Sequence, residues 1–347
     1  KLRNKRKGRK MKAVIFGVTG QDGSYLSEFL LEKGYEVIGV SRRASTDNTE
    51  RLKGVLDNPN FTFMEGDVTD YISVSRIIND TQPDEVYNLA AQSHVQTSFN
   101  EPIHTWRTDA EGPLNVLESV RRHAHNAKFY QASTSEMYGK TVDPDGYQRE
   151  TTVLSPQSPY AIAKVAAHHK VGLYRDAYGI FACSGILFNH ESERRGEKFV
   201  SRKITKWVAK FKHWLDSGGN GEEFPKLRLG NLDAARDWGY APDYVEAMWM
   251  MMQEEKPDDF VIATGISRTV RDFLRVAFSY IEIEDWEEYV VIDPRFYRDA
   301  EVQFLHGDAS KAKKELGWVP KTPLSEMVKR MIDADIKILQ CSNHILS

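Results

Sequence analysis

Three glycines, Gly17, Gly20 and Gly23, follow a short apolar run, Lys12 to Phe16, and open an amphipathic stretch from Ser24 to Lys33 that stops at Gly34. That arrangement constrains the chain more than any other feature. A strand must pass into a helix through a turn that needs positive φ or a missing Cβ. The same absence of side chains lets a diphosphate approach the backbone and face the N–H groups at the helix start. Gly17-Val18-Thr19-Gly20-Gln21-Asp22-Gly23-Ser24 therefore reads as a phosphate-cradling turn, with Thr19, Gln21 and Asp22 as further contact candidates.

The rest of the first half keeps the same rhythm. Glu36 to Val40, Phe61 to Glu65, Glu85 to Leu89 and Lys128 to Ala132 read as strands, with spacers long enough for crossover helices. A helix opens at Ser158, a suitable N-cap, with Pro159 at its first position, and Gly179 ends it. Phe181 to Leu187 reads as a sixth strand and Phe260 to Thr264 as a seventh that returns to the sheet. The predicted fold class is α/β, a Rossmann doubly wound parallel sheet with a smaller, mostly C-terminal substrate domain. Residues 1–10 read as a basic flexible tail, 11–189 as the dinucleotide domain rejoined by about 237–267, and 190–236 with 268–347 as the substrate domain. Phe199 to Leu215 carries one apolar helical face, and Met248 to Met252 reads as core packing.

Charge separates the tail from the body. Seven of the 47 basic residues lie in Lys1 to Lys10, which leaves 40 against 50 acidic residues and a net −10 beyond them. Such a body does not attract nucleic acid, and an anionic ligand requires a local arginine cluster. No run of about 18 apolar residues suits a membrane span. Cys183 and Cys341 stand far apart, outside any CxxC pattern, which fits a cytoplasmic setting and no bound metal.

The ends of the strands indicate which dinucleotide. An acid after the second strand would suit the ribose of NAD; this chain has Ser41-Arg42-Arg43, about 20 residues past Gly23. Two guanidiniums suit the 2′-phosphate of NADP by charge and bidentate geometry. Asp67 and Val68 follow the third strand, and Asp67 could accept from an adenine amino group. Leu89, Ala91 and Ser93 lie at or just after the end of the fourth, where small residues let the backbone pass close to the cofactor.

Tyr160 and Lys164 are four apart on one predicted helix and share a face. An ammonium beside a phenol, together with a nicotinamide charge, favours phenolate, a usable base. Combined with the glycine turn and with Ser133-Thr134 after the fifth strand, these residues resemble the extended short-chain dehydrogenase/reductase family. The resemblance implies that Thr134 hydrogen-bonds a sugar O4 and that Lys164 also holds the nicotinamide ribose. Ser133 to Gly139, Asn189 to Gly196 and Leu229 to Gly239 resemble its GDP-sugar branch most closely. That likeness implies that His190 and Arg195 contact NADP, that the substrate is GDP-mannose, and that the chain forms a homotetramer or homodimer with Arg43 and Arg195 near the tetramer interface.

Glu136 points to the reaction. An epimerase handles only hydride and a hydroxyl proton, whereas a 4,6-dehydratase must also take the proton at carbon 5 and expel the hydroxyl at carbon 6. A carboxylate two residues after Thr134 suits that task. Asn189, Lys203, Arg236, Arg298 and Glu301 are the substrate-binding candidates, for diphosphate, sugar and base. A GDP-heptose 4,6-dehydratase and a sugar-nucleotide epimerase remain alternatives on the same scaffold. Asp143-Pro144-Asp145-Gly146 reads as a turn that absorbs about two residues beyond the family's usual spacing.

Overall fold

A computed structural model describes residues 9–219, 223–297 and 302–344. The first half alternates as predicted: β1 Lys12–Phe16, α1 Gln21–Glu32, β2 Glu36–Ser41, β3 Phe61–Glu65, α2 Tyr71–Thr81, β4 Glu85–Asn88, α3 Val95–Asn100, α4 Pro102–Trp106, a π-helical turn Arg107–Glu111, α5 Gly112–His123, β5 Lys128–Thr134, α6 Pro159–Tyr178 and β6 Ala182–Leu187. Beyond these come β7 Asn189–Glu191, α7 Val200–Asp216, β8 Leu227–Leu229, β9 Ala235–Tyr240, α8 Ala241–Gln253, β10 Phe260–Ile262, β11 Ser267–Thr269, α9 Val270–Ser279, β12 Val290–Ile292 and α10 Leu324–His344.

Seven strands form a parallel sheet in the order β10-β6-β5-β4-β1-β2-β3. β1 is flanked by β2 and β4, so the connections leave it in opposite directions there, and ligands of such sheets bind outside the carboxyl ends at that reversal. β1, β2, β4 and β6 are almost wholly buried, as strands covered by helices on both faces are, whereas the edge strand β3 is largely exposed. β6 is buried at all six positions.

Two compact units emerge. One runs to Ser133 and takes in Ile162–Gly185 and Val245–Phe260. Its core joins Val14 and Phe16 of β1 to Val74, Ile77 and Ile78 of α2, Val116 and Val120 of α5, and Val171 of α6. The methionines behave as read: Met248, Met251 and Met252 of α8 are buried. Lys128 closes the end of that helix by donating to the carbonyls of Met252 and Glu254 at 2.6 and 2.9 Å. Arg9 and Lys10, at the tail's end, bond Asp84 and Asn60 at 3.0 and 2.7 Å; the remainder of the expected basic tail lies outside the described residues.

The other unit comprises Thr134–Ala161, Ile186–Tyr244 and the chain from Val261 onward. Ile204 and Val208 of α7, Phe273 and Phe278 of α9, and Met327 and Met331 of α10 form its core around Trp238. A capping box closes the start of α9: Thr269 accepts from the Asp272 amide while Asp272 accepts from Thr269. β9 pairs with β7 in parallel and with β11 in antiparallel, and β12 pairs with β8. These short sheets were not anticipated. The expected turn at Asp143–Gly146 closes by Gly146 N–H donation to the Asp143 carbonyl at 2.8 Å, with Gly146 at φ +85°.

Candidate active site

In the first unit, the glycine turn is as tight as its sequence requires. Gly17 has φ +83°, and a Cβ there would stand 2.7 Å from the Ala90 amide nitrogen. A Cβ on Gly23 would strike the Gly17 carbonyl and lie 2.7 Å from Val18 Cα. Gly20 is the N-cap of α1, extended and with no side-chain cap. The helix therefore opens at Gln21 and not at Ser24, because Gly20 turns the backbone three residues earlier. An uncapped helix start behind three glycines fits a diphosphate.

The other nucleotide candidates gather at the same carboxyl edge. Arg42 and Arg43 are exposed just past β2, and Ser41 shares a hydrogen bond with Thr19 at 3.2 Å. Arg51, which the sequence reading did not single out, donates to the Thr19 carbonyl at 3.3 Å and adds a third guanidinium beside the turn. Asp67 Oδ1 accepts from the Thr69 amide and hydroxyl at 2.9 and 2.8 Å, a local turn that fixes the loop after β3. Val68 is buried and its carbonyl accepts from Asn115 at 2.8 Å. Leu89 bonds back to the Phe16 carbonyl at 3.0 Å, Ala91 is half-buried and Ser93 is exposed.

Lys164 is almost fully buried on α6, and its Nζ donates to the Ala132 carbonyl of β5 at 3.1 Å. Burial pulls its ammonium below the usual lysine range, and the Asp109 carboxylate opposes that shift. Asp109 is fully buried on the π-helical turn and accepts from the Gln92 amide at 2.7 Å. Burial pushes its carboxyl up to about 7, against the opposing pull of Lys164 and the Gln92 bond. No sequence motif flagged Asp109.

In the second unit, β5 ends in Thr134, whose hydroxyl accepts from the Glu136 amide at 3.2 Å and caps a 3-10 turn, Ser135–Tyr138. Met137 and Tyr138 anchor that turn in the interior, and Glu136 is left half-buried between them and Ser135. The Ser155 amide donates to the Met137 carbonyl at 2.9 Å, and Gly139, at φ +57°, leaves no room for a Cβ against the Ser155 carbonyl. Ser158 caps α6 as read, accepting from Ala161 at 3.1 Å. Tyr160 is buried in the first turn of that helix, one turn before Lys164.

His190 lies on β7, donates from Nδ1 to the Phe188 carbonyl at 2.7 Å and stacks on Tyr244 at 4.7 Å. Asn189 precedes it, half-buried. Arg195 pairs with buried Glu191 at 2.9 Å and lies 3.7 Å over the Phe199 ring. Lys203 places its ammonium 3.6 Å over Phe296, and Arg236 is buried in β9 with a bond to the Ala235 carbonyl at 2.9 Å. Arg298 and Glu301 lie outside the described residues. No His, Cys, Asp or Glu group among the described residues is arranged to hold a metal.

Comparison with known proteins narrows what such a site does. A family model described as GDP-mannose 4,6 dehydratase matches residues 14–331. GDP-mannose 4,6 dehydratase 1 of Arabidopsis thaliana is 52% identical over 336 residues, covering 94% of this chain and 90% of the relative. A UDP-glucose 4-epimerase from Thermotoga maritima, solved with UDP-glucose, superposes with a TM-score of 0.81 at 28% identity, covering 95% of this chain and all of that one. A dTDP-glucose 4,6-dehydratase from Bacillus anthracis, solved with NAD, gives 0.81 at 20% identity over 95% and 98% of the two chains, a likeness of fold.

Proposed function

Because the chain belongs to the GDP-mannose 4,6-dehydratase family, we propose that Tyr160, Lys164, Thr134 and Glu136 carry the proton chemistry of that reaction around an NADP held by the glycine turn. The enzyme is a hydro-lyase that removes water from GDP-mannose to give GDP-4-keto-6-deoxymannose. The glycine turn would hold a nicotinamide dinucleotide, whose chemistry would be to accept a hydride from carbon 4 and give it back at carbon 6. NADP over NAD follows from Arg42 and Arg43 at the end of β2, with Arg51 beside them.

Tyr160, as phenolate, takes the proton of the carbon 4 hydroxyl, and Thr134 orients that oxygen. Lys164 holds the phenolate's charge from one turn away. The resulting 4-keto group acidifies carbon 5. Glu136 accepts the carbon 5 proton and passes it to the carbon 6 hydroxyl, which departs as water. Carbon 5 regains a proton, and the one gathered by Tyr160 closes the balance. The cofactor ends each cycle as it began, so release between turnovers is unnecessary.

The observation that carries this reading is the Lys164 bond to Ala132. It ties the Tyr160 helix to β5, which ends two residues later in Thr134 and runs on into the turn that carries Glu136. The test is incubation with GDP-mannose, GDP-heptose, dTDP-glucose and UDP-glucose, with mass analysis of products and of the cofactor released on denaturation. Loss of one water from GDP-mannose and release of NADP are expected. Release of NAD overturns the cofactor assignment, and turnover of a dTDP- or UDP-sugar in place of GDP-mannose overturns the substrate assignment.

A further inference from the structure

We propose that Tyr138 is a positioning residue for the step at carbon 5: its buried hydroxyl, bonded to the Arg149 carbonyl, fixes the turn that holds Glu136 in place. The inference rests on the role given above to Glu136 and deepens it.

Glu136 belongs to a turn of only four residues, and 3-10 geometry makes poorer hydrogen bonds than an α-helix. Its amide is engaged by Thr134, and its carbonyl accepts from the Gly139 N–H at 3.2 Å. Those bonds close the turn on itself. Its ties to the segment after Gly139 lie just beyond Glu136. The Met137 carbonyl takes the Ser155 amide at 2.9 Å, and the Tyr138 hydroxyl donates to the Arg149 carbonyl at 2.7 Å. The second of these is made by a side chain, so it can be removed without touching the backbone.

Tyr138 has no solvent exposure, and its ring centre lies 6.2 Å from that of Phe188. A phenylalanine would fill the same space. A hydroxyl buried there costs free energy unless it is bonded, so what the oxygen adds is its bond to Arg149. Burial, then the charges of Glu150 and Asp143, holds the phenol well above its ordinary range, so it serves as a donor and not as a further base.

Arg149 is a firm acceptor. Its amide donates to the Thr152 hydroxyl at 2.8 Å, and its carbonyl also accepts the Thr152 amide at 3.1 Å. Its guanidinium is paired with Asp143, Asp145 and Asp308, and the Thr152 hydroxyl donates to Asp143 at 2.9 Å. Backbone and side chain of residue 149 are thus fixed separately, and the Tyr138 bond passes that rigidity to the Glu136 turn. A carboxylate that must reach one proton loses rate steeply when its support loosens, because proton transfer needs hydrogen-bond reach.

Tyr138→Phe removes that one bond. Dehydration by the variant should fall about three- to tenfold, the factor one hydrogen bond is worth. The isotope effects carry the test. With deuterium at carbon 5 of GDP-mannose, the rate of the variant should depend on the isotope more than wild type does; with deuterium at carbon 4 it should depend less. A loss of rate with both isotope effects unmoved, or a wild-type rate, overturns the inference. Thr152→Ala frees the Arg149 backbone from its other side and should shift both isotope effects in the same directions, so it carries the same test if Tyr138→Phe does not fold. Glu136→Gln separates the two levels. If it slows dehydration while the isotope effects of Tyr138→Phe are unmoved, the inference alone falls; if Glu136→Gln turns over at the wild-type rate, the reading beneath it falls as well.

Discussion

Gly17 and Ala90 approach so closely that a β-carbon on the first would lie 2.7 Å from the amide nitrogen of the second. The end of β1 and the segment after β4 therefore meet through bare backbone. Gly17→Ala should lose stability by at least ~1–2 kcal/mol from the left-handed backbone alone, before any overlap with Ala90 is added. The denaturant midpoint should fall and NADP titration should weaken. An unchanged midpoint would show that the turn relaxes.

Arg42 and Arg43 stand exposed at the end of β2, and Arg51 bonds Thr19 beside them. Replacing Arg42 and Arg43 together by alanine should weaken NADP binding by about 10- to 100-fold, the worth of a charge-assisted hydrogen bond or two, and leave NAD binding nearly as it was. Calorimetric titration with both cofactors measures the ratio. Equal losses for both would remove these arginines from the 2′-phosphate.

Glu136→Gln preserves the size of the side chain and the amide bond to Thr134. Dehydration should fall by roughly 10²- to 10⁴-fold, the usual contribution of one general acid/base group, with cofactor content unchanged. Solvent deuterium should enter carbon 5 of GDP-mannose more slowly than in wild type. Near-normal product formation would take Glu136 out of the mechanism.

Arg121, gripping Glu118 through two bonds of 2.6 and 2.8 Å, with Arg122 and Tyr174 adding to it, holds the Glu118 carboxyl down at about 2. A folded-state pKa below the unfolded one gives stability that is present above about pH 4 and is lost as pH falls toward 2. Because these side chains are partly exposed, Glu118→Gln should cost no more than ~1 kcal/mol at neutral pH. The gap between the two proteins should close on acidification; urea unfolding at a series of pH values checks the sign.

Much of the fold was legible because its signals are local and repeated. The glycine turn, the apolar strands, Ser158 with Pro159 and the stop at Gly179 each state their own geometry, and Gly179 does adopt φ +65°. β7, β8, β11 and β12 were not legible: three residues carry no period. β9 is longer, but all six of its residues are buried, so the alternation that marks a half-exposed strand is missing. Tyr160, Lys164, Thr134 and Glu136 were readable as candidates because spacing or strand position marks them. Asp109 and Arg51 were not, since a π-helical turn breaks the helical period around the first and a short irregular segment carries the second. Only the folded chain shows what their charges face.

Gln148 exchanges backbone bonds with His306 and Asp308, at 2.8 and 3.0 Å, while its side chain bonds Thr141 and the His306 amide, and Arg149 grips Asp143, Asp145 and Asp308. The turn after Glu136 and a stretch more than 150 positions downstream are thus one assembly. Anyone transplanting loops between relatives of this enzyme would have to move both pieces together. A graft of either alone would strand an arginine among mismatched partners a short way along the chain from Glu136.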